Sequence, residues 1–402
     1  MSSYPSSRPQ DRNAFEVAII CALSLEAGAM IALFDEFWEH DAQYTKAHGD
    51  TNSYTIGRIG SHHVVLVHLS HMGKGSAANV AANLRSSFPQ IRLNLLVGIC
   101  GGVPFTNDTN DGRHEIILGD VVISTYIVQT DFGRQYSDSL IRKNTPLDNL
   151  GRPSPEINAF LSNLQVRSVQ TKLEAHTRTH LMTVLATEDF QSAYPGVHDD
   201  NLYESIYRHK HQDTQACAIC AKSMYPEDSI CRSALSLPCA ELGCDASRLI
   251  PRCRIEDKIN KGSDPHSPMV HFGAIASGDQ VLKSAQHRDR IARQENVIAF
   301  EMEGAMLWES IPTIVVKGMW YDFKNAPLKV IAYHERHPEK PPLPEFFARW
   351  ASSHTTPATT PAGSPGAQPT DTPVSASDDL YGTTPVASPG HLAGWPASWL
   401  AS

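Results

Sequence analysis

Short β-branched apolar runs recur along the chain at residues 17–22, 64–69, 93–98, 120–124, 181–187 and 313–317. Continuous apolar strands of this kind, alternating with helical or turn-rich stretches, predict a sheet buried on both faces. After the first run, Met30, Leu33, Phe34 and Phe37 recur at i, i+3, i+4 and i+7, the period of an amphipathic helix. Ser24 is placed to cap that helix by accepting a backbone N–H bond. The opening therefore reads strand, turn, helix, and the chain as an α/β protein.

The pattern weakens in three places. Residues 1–13 are polar and read as a disordered N-terminus, and the α/β domain spans 14–330. Residues 197–268 are rich in His, Cys, Asp and Ser and lack a sustained period, so they read as an insertion at the domain edge. From 338 to 402 Pro, Ala, Ser and Thr dominate, with too few large apolar residues to offset the entropy of ordering, and this tail is expected to be disordered.

Composition narrows the function classes. The 402 residues are 41% hydrophobic and 19% charged, enough apolar material for a large core. A formal net charge of -9 and a pI near 6.1 repel phosphate backbones and anionic bilayers, which argues against nucleic-acid or membrane partners. No stretch approaches the roughly 20 apolar residues of a membrane span, and the first residues carry no apolar signal core. A cytoplasmic protein with a small-molecule partner is the expectation.

Three motifs could carry chemistry. FEMEGAM (300–306) follows a strand end and opens a helix, so Glu303 could accept hydrogen bonds from two vicinal hydroxyls while Met302 packs on a sugar. A glutamate on a first helical turn can equally serve the helix dipole alone. MGKGSAANVAANL (72–84) is a glycine turn entering a small-residue helix, a place where backbone approaches a ligand and N–H groups attract oxygen anions. LVGICGGVP (96–104) is a strand running into glycines, which lines a ligand or simply turns.

In order along the chain, VAIICALSLEA, YTIGRIG, MGKGSAANVAANLRSSFP, LVGICGGVP, LGDVVIS, VQTDFG, YPGVHDDNLYE, HFGAIASGDQV and FEMEGA resemble the purine nucleoside phosphorylase and methylthioadenosine nucleosidase superfamily, in particular its fungal domains often fused to regulatory modules. The resemblance runs from about Phe15 to Gly318. It implies a three-layer α/β/α fold around a central mixed sheet, cleavage of the N-glycosidic bond of a purine nucleoside or nucleotide, no cofactor at the reaction centre, and commonly a homo-oligomer. By position it implies that Met302 and Glu303 bind ribose and that Ile99, Cys100 and Gly101 line the nucleoside site. Val281 and Leu282 would lie against the base, and Glu26 would activate water.

Phosphorolysis would need phosphate as a co-substrate, held by Arg and hydroxyl donors. The positions that carry an Arg and a Ser in the bacterial purine phosphorylases are Leu96 and Ile99 here, and neither side chain can donate. Hydrolysis is the expectation. The resemblance breaks after Gly318: the implied general acid falls on Asp322 only if one residue is inserted, and the prolines of HERHPEKPPLPEF forbid the helix that should follow. The C-terminal part is thus truncated or altered, through divergence into a non-catalytic, nucleoside-sensing binder or through an unspliced reading of the gene.

Six of the eight cysteines fall between Cys217 and Cys253. Cys217-x2-Cys220 and Cys239-x4-Cys244 resemble the spacing of a four-thiolate structural zinc site, with His209 and His211 as nearby substitutes. Reduced, unliganded thiols in a loop fit the same sequence.

Overall fold

A computed structural model describes residues 8–38, 44–108, 112–137, 139–185, 200–225, 228–261 and 267–319. The strands are β1 (Val17–Cys21), β2 (Glu36–Phe37), β3 (Tyr54–Ile59), β4 (His62–His68), β5 (Leu93–Gly102), the hairpin β6 (Phe105–Asp108) and β7 (Gly112–Glu115), β8 (Val121–Gln129), the hairpin β9 (Gly133–Gln135) and β10 (Leu140–Arg142), β11 (Val270–Ser277), β12 (Val297–Glu301) and β13 (Thr313–Met319). The helices are α1 (Ser24–Ile31), α2 (Lys74–Ser87), α3 (Pro155–Leu164), α4 (Arg167–Leu185), α5 (Ala218–Lys222), α6 (Cys239–Leu242), α7 (Cys253–Asn260), α8 (Ala285–Glu295) and α9 (Gly304–Ser310).

Nine strands form one sheet in the order β12-β11-β8-β13-β5-β1-β4-β3-β2, and β12 also pairs with β5. β1 runs parallel to β4 and β5, and β13 parallel to β5, whereas β13 and β8 are antiparallel, so the sheet is mixed as expected. Strand alternation splits the core in two. Ala18 and Ile20 of β1 join Ala77, Val80, Ala81 and Leu84 of α2 and Leu307 of α9 on one face. Val17, Ile19 and Cys21 join Ala27 of α1 and Ile157, Leu161 and Leu173 of α3 and α4 on the other. The result is the three-layer α/β/α arrangement.

Several expectations are corrected. Residues 181–185, read as strand, close the long helix α4. The hydroxyls of Thr171, Thr177, Thr179 and Thr183 each donate to the carbonyl four residues back, which accommodates β-branched residues in a helix. The first helix ends at Ile31 rather than continuing to Phe37. Phe37 enters the edge strand β2 opposite Gly57 and stacks on Phe34 at 5.3 Å, so the apolar spacing is satisfied by ring stacking. Ser24 is the first residue of α1 and does not cap it; Leu23 occupies the cap and Glu26 reaches back to its N–H.

Part of the expected disordered N-terminus is also placed. Tyr44 Oη donates to the Pro9 carbonyl at 2.6 Å, and residues Arg12–Ala14 form a 3-10 turn leading to the fully buried Phe15. The ring of Phe15 meets Tyr44 and Phe88 edge-on, which draws the preceding residues onto the domain. The 338–402 tail lies outside the described residues.

The insertion is attached by buried ion pairs. Arg252 Nε donates to Glu115 at 2.5 Å, and its other nitrogens donate to Asp200 and the Ile116 carbonyl, both at 2.7 Å. Arg254 pairs with Asp120, which also accepts from His271 at 3.0 Å. Residues from both ends of the insertion, Asp200 and Arg252, thereby meet over the start of β8. These charges can be buried because each has a partner of opposite sign.

Candidate functional site

The turn from β1 into α1 carries Glu26 on the first helical turn, 7% exposed. Its carboxylate folds back on the chain: Oε2 accepts the N–H groups of Ala22 and Leu23 at 2.9 and 2.8 Å, and Oε1 accepts the N–H of Ile99 at 2.8 Å. Three of about four acceptor positions on the carboxylate are thus filled by fixed backbone donors, leaving one on Oε1. The carboxylate lies directly against Gly98 of β5, where a Cβ would stand 2.3 Å from Oε1. Glycine in LVGICGG is therefore set by the close approach of Glu26.

Lys317 pairs with Gly98 across the β13–β5 ladder. It is 1% exposed, and its Nζ donates to Glu303 Oε2 at 3.4 Å. Glu303, 3% exposed, also accepts the Gly73 N–H on Oε1 at 3.1 Å. Gly73 has φ 106°, a conformation that disfavours any side chain, and it precedes α2. Glu301 completes the group: its Oε2 accepts the N–H groups of Glu303 and Gly304 at 2.9 and 2.8 Å, while its buried Oε1 has no hydrogen-bond partner.

Three carboxylates thus surround one ammonium. Burial alone would push the Lys317 pKa down, but Glu303, Glu301 and Glu26 outweigh it and the pKa is raised, so the side chain stays charged. Burial raises the pKa of Glu301, and Glu303 adds to that against the pull of Lys317. The ensemble is an enclosed anionic cluster beside the middle of β5, the end of β12 and the β1–α1 turn.

The glycine turn before α2 attracts carboxylates, and these come from the protein itself. Besides Glu303 on the Gly73 N–H, Asp279 accepts the Lys74 N–H at 2.8 Å. Lys74 Nζ bonds both oxygens of Asp131 at 2.7 and 2.6 Å, and Asp131 accepts the Asp279 N–H at 2.9 Å. Burial raises the Asp131 pKa, yet these donors outweigh it and hold the carboxyl below its usual range.

Other residues expected at the site fall around this cluster. Met302 is half-buried between Glu301 and Glu303. Ile99 contributes its backbone N–H to Glu26, and Gly101 pairs with Phe300 of β12. Cys100 points into the core, its Sγ 3.6 Å from Met319 Sδ, so only its backbone could face a ligand. Val281 and Leu282 stand on the loop tied down by Asp279, with Val281 52% exposed. Leu96 is fully buried in the core and cannot meet a phosphate. Asp322 lies outside the described residues. A separate open cleft lined by Val103, Tyr126, Arg167, His271, Phe272 and Arg288 includes none of the clustered carboxylates.

Sequence reasoning missed Lys317, Glu301 and the Lys74–Asp131–Asp279 group. For Lys317 the signal was present: a lone charge within the apolar run TIVVKG, in a strand covered on both faces, needs a buried partner.

The cysteines do not gather into one four-thiolate group. Cys217 and Cys220 cluster with Cys231 and His211, while Cys239 and Cys244 cluster with His209; within each group the potential ligand atoms lie within 4.8 Å of one another. Each pair read from the spacing stays together, but the two do not join in one site, because the short helices α5 and α6 and the turns between them bring Cys231 back to the first pair.

The chain is similar to several known proteins. A Hyaloscypha variabilis protein described as nucleotide-binding leucine-rich repeat (NLR)-like is 27% identical over 322 residues, covering 78% of this chain and 27% of that protein, so the chain spans about a quarter of the relative's length. Among solved structures, the 5′-methylthioadenosine/S-adenosylhomocysteine nucleosidase of Helicobacter pylori is similar over 81% of this chain and 91% of its own, with 12% identity and a TM-score of 0.41. Futalosine hydrolase of the same organism is similar over 81% and 93%, with 12% identity and a TM-score of 0.41. No helix among the described residues is long and apolar enough to cross a membrane. The profile described as "Phosphorylase superfamily" matches residues 16–242, a span that contains Glu26, Gly73 and the LVGICGG strand, and the chain belongs to that superfamily.

Proposed function

We propose that this domain hydrolyses the N-glycosidic bond of a purine nucleoside or nucleotide. The observation that carries the reading is the enclosed cluster of Glu26, Glu301, Glu303 and Lys317 around Gly98 and Gly73. Breaking the bond develops positive charge on the ribose, and a preorganised anionic cluster stabilises that charge without reorganising at the moment of reaction. The acceptor position left on Glu26 Oε1 takes a water proton, and the resulting hydroxide equivalent attacks the anomeric carbon. Glu303, its carboxylate oriented by the Gly73 N–H and Lys317, accepts hydrogen bonds from the ribose hydroxyls, with Met302 beside the sugar. Protonation of the departing base falls to a group beyond β13, for which Asp322 is the sequence candidate.

Water rather than phosphate is favoured because Leu96 is sealed in the core and Ile99 offers only a backbone N–H, which Glu26 already occupies. The clustered carboxylates would also repel a phosphate dianion. Release of free base from adenosine, inosine, guanosine, uridine, methylthioadenosine, AMP and ATP, with and without phosphate, tests the reading. Base release in phosphate-free buffer supports hydrolysis, and strict dependence on added phosphate replaces it with phosphorolysis.

One finding favours a second reading, nucleoside sensing without turnover. Nearly three quarters of the Hyaloscypha variabilis relative lies outside the match, so a domain of this kind serves there as one module of a longer chain. Nucleoside binding in the absence of base release under either condition would select it.

A further inference from the structure

The insertion has an inverted burial pattern. Ile206, Ile219, Met224, Tyr225 and Leu235 are 54–79% exposed, whereas Cys220 and Cys231 are 0% and 9% exposed. Its buried cluster consists of Cys220, Cys231, Ala234 and Leu242, with Cys217, Ile230, Leu237 and Cys244 packed at the edge. Residues 200–261 cannot be ordered by so small an apolar core, and small units of this kind need a staple such as a metal ion. The cysteines are free thiols, so disulfides do not provide it.

We propose that His211, Cys217, Cys220 and Cys231 form a closed, structural zinc site. The four candidate ligand atoms lie within 4.8 Å of one another, with His211 Nδ1 3.6 Å from Cys220 Sγ and 3.3 Å from Cys231 Sγ. Zn–S bonds of about 2.3 Å and Zn–N bonds of about 2.0 Å at tetrahedral angles put nitrogen and sulfur about 3.5 Å apart. The ligand set is Cys₃His, with a Cys-x2-Cys knuckle at Cys217 and Cys220. Lys210 fixes that knuckle from outside, its Nζ donating to the carbonyls of Cys220 and Ser223 at 2.9 and 2.6 Å. Metal binding releases the thiol protons and couples occupancy to folding of the insertion.

An independent observation carries a second site at His209, Cys239 and Cys244. His209 Nδ1 faces both sulfurs, at 3.4 and 3.6 Å, while its Nε2 lies 2.9 Å from the Leu237 carbonyl. Donation from Nε2–H to that carbonyl leaves the Nδ1 lone pair directed at the thiols, the outer-shell arrangement that orients metal-binding histidines. Here three protein ligands and one further donor, such as water, surround a second Zn²⁺.

The experiment is zinc content per chain by elemental mass spectrometry on full-length protein purified without chelator, for the wild type and for Cys231→Ser, Cys239→Ser and Cys253→Ser. Cys253 is exposed and belongs to neither group, so its variant is the control. The expected counts are about two zinc ions for the wild type and the control, and about one for each of the other variants. A count unchanged by Cys231→Ser overturns the first site, and one unchanged by Cys239→Ser overturns the second. Cobalt titration keeps the test open if a variant misfolds: the wild type should show the intense visible bands of tetrahedral Co²⁺ with thiolate-to-metal charge transfer, and octahedral-type spectra or no binding would overturn both sites.

Discussion

The sheet-end cluster and the insertion both bury polar groups, but they resolve the cost differently. At the sheet end, strand register presses Glu26 onto Gly98 beside Lys317, and the excess of carboxylates over cations leaves one oxygen of Glu301 unpartnered. In the insertion neck every charge is matched, with Arg252 on Glu115 and Asp200 and Arg254 on Asp120, and the thiols beyond it face histidines. A buried polar cluster left incompletely paired is poised for a ligand, whereas a fully paired one holds a shape. On the proposed function, the difference separates the part of the molecule that would do chemistry from the part that holds the insertion in place.

Replacing the cation of the first region should have the largest effect. Lys317→Met leaves Glu303 and Glu26 without their buried counter-charge, and a loss of about 3–5 kcal/mol in unfolding free energy is expected. Denaturant titration measures it, and a variant as stable as the wild type would mean that the carboxylates are not held by this ammonium. The equivalent cut in the second region, Arg252→Met, should cost about 3 kcal/mol and be confined to the insertion. Limited proteolysis should then cleave within 200–261 while the sheet domain resists; uniform cleavage along the chain would refute the separation of the two regions.

Gly98→Ala asks less of the fold. The added methyl stands where the Glu26 carboxylate lies, so a destabilisation of about 1–3 kcal/mol is expected together with loss of base release. An active Gly98→Ala variant would show that Glu26 need not sit against β5.

The smallest effect is a pH dependence. Burial, with neighbouring His63, pulls His62 down to about 4, below the 6.5 it takes when exposed. The folded state therefore holds a stability contribution that is complete above about pH 6.5 and is lost as pH falls from there toward 4. Burial raises the pKa of Asp120, but the bonds and charges of His271 and Arg254 outweigh it and hold it well below the usual carboxylate range. Its contribution is present above about pH 4 and is lost on further acidification. Melting temperatures of the wild type and His62→Gln between pH 7 and 4 should diverge, the variant falling less; parallel curves would contradict the assignment.

Legibility in the sequence followed the same division. The sheet was readable because β1, β4, β5 and β13 are continuous apolar runs, and Glu26 and Glu303 were readable because each follows a strand end within a recognisable motif. Lys317 and Glu301 were passed over because the cluster assembles only where β12 and β13 both pair with β5 beside Glu26, although Glu301 itself bonds the nearby N–H groups of Glu303 and Gly304. In the insertion, the sequence revealed cysteines and histidines of the right kind but not their grouping, since tertiary folding brings in Cys231 and assigns His211 and His209 to different pairs. Within the strand expected at 181–187, the described residues 181–185 are helical because threonine back-bonding reconciles a β-branched stretch with helix.

The most direct test of the central claim is single-turnover base release by Glu26→Gln, measured beside nucleoside affinity and melting temperature, in phosphate-free buffer with the best substrate of the panel. Base release should fall by about 10²–10⁴-fold while nucleoside affinity stays within a few-fold of the wild type, as expected when a positioned general base is removed. Unchanged base release in a folded Glu26→Gln protein would contradict the assignment of water activation to Glu26.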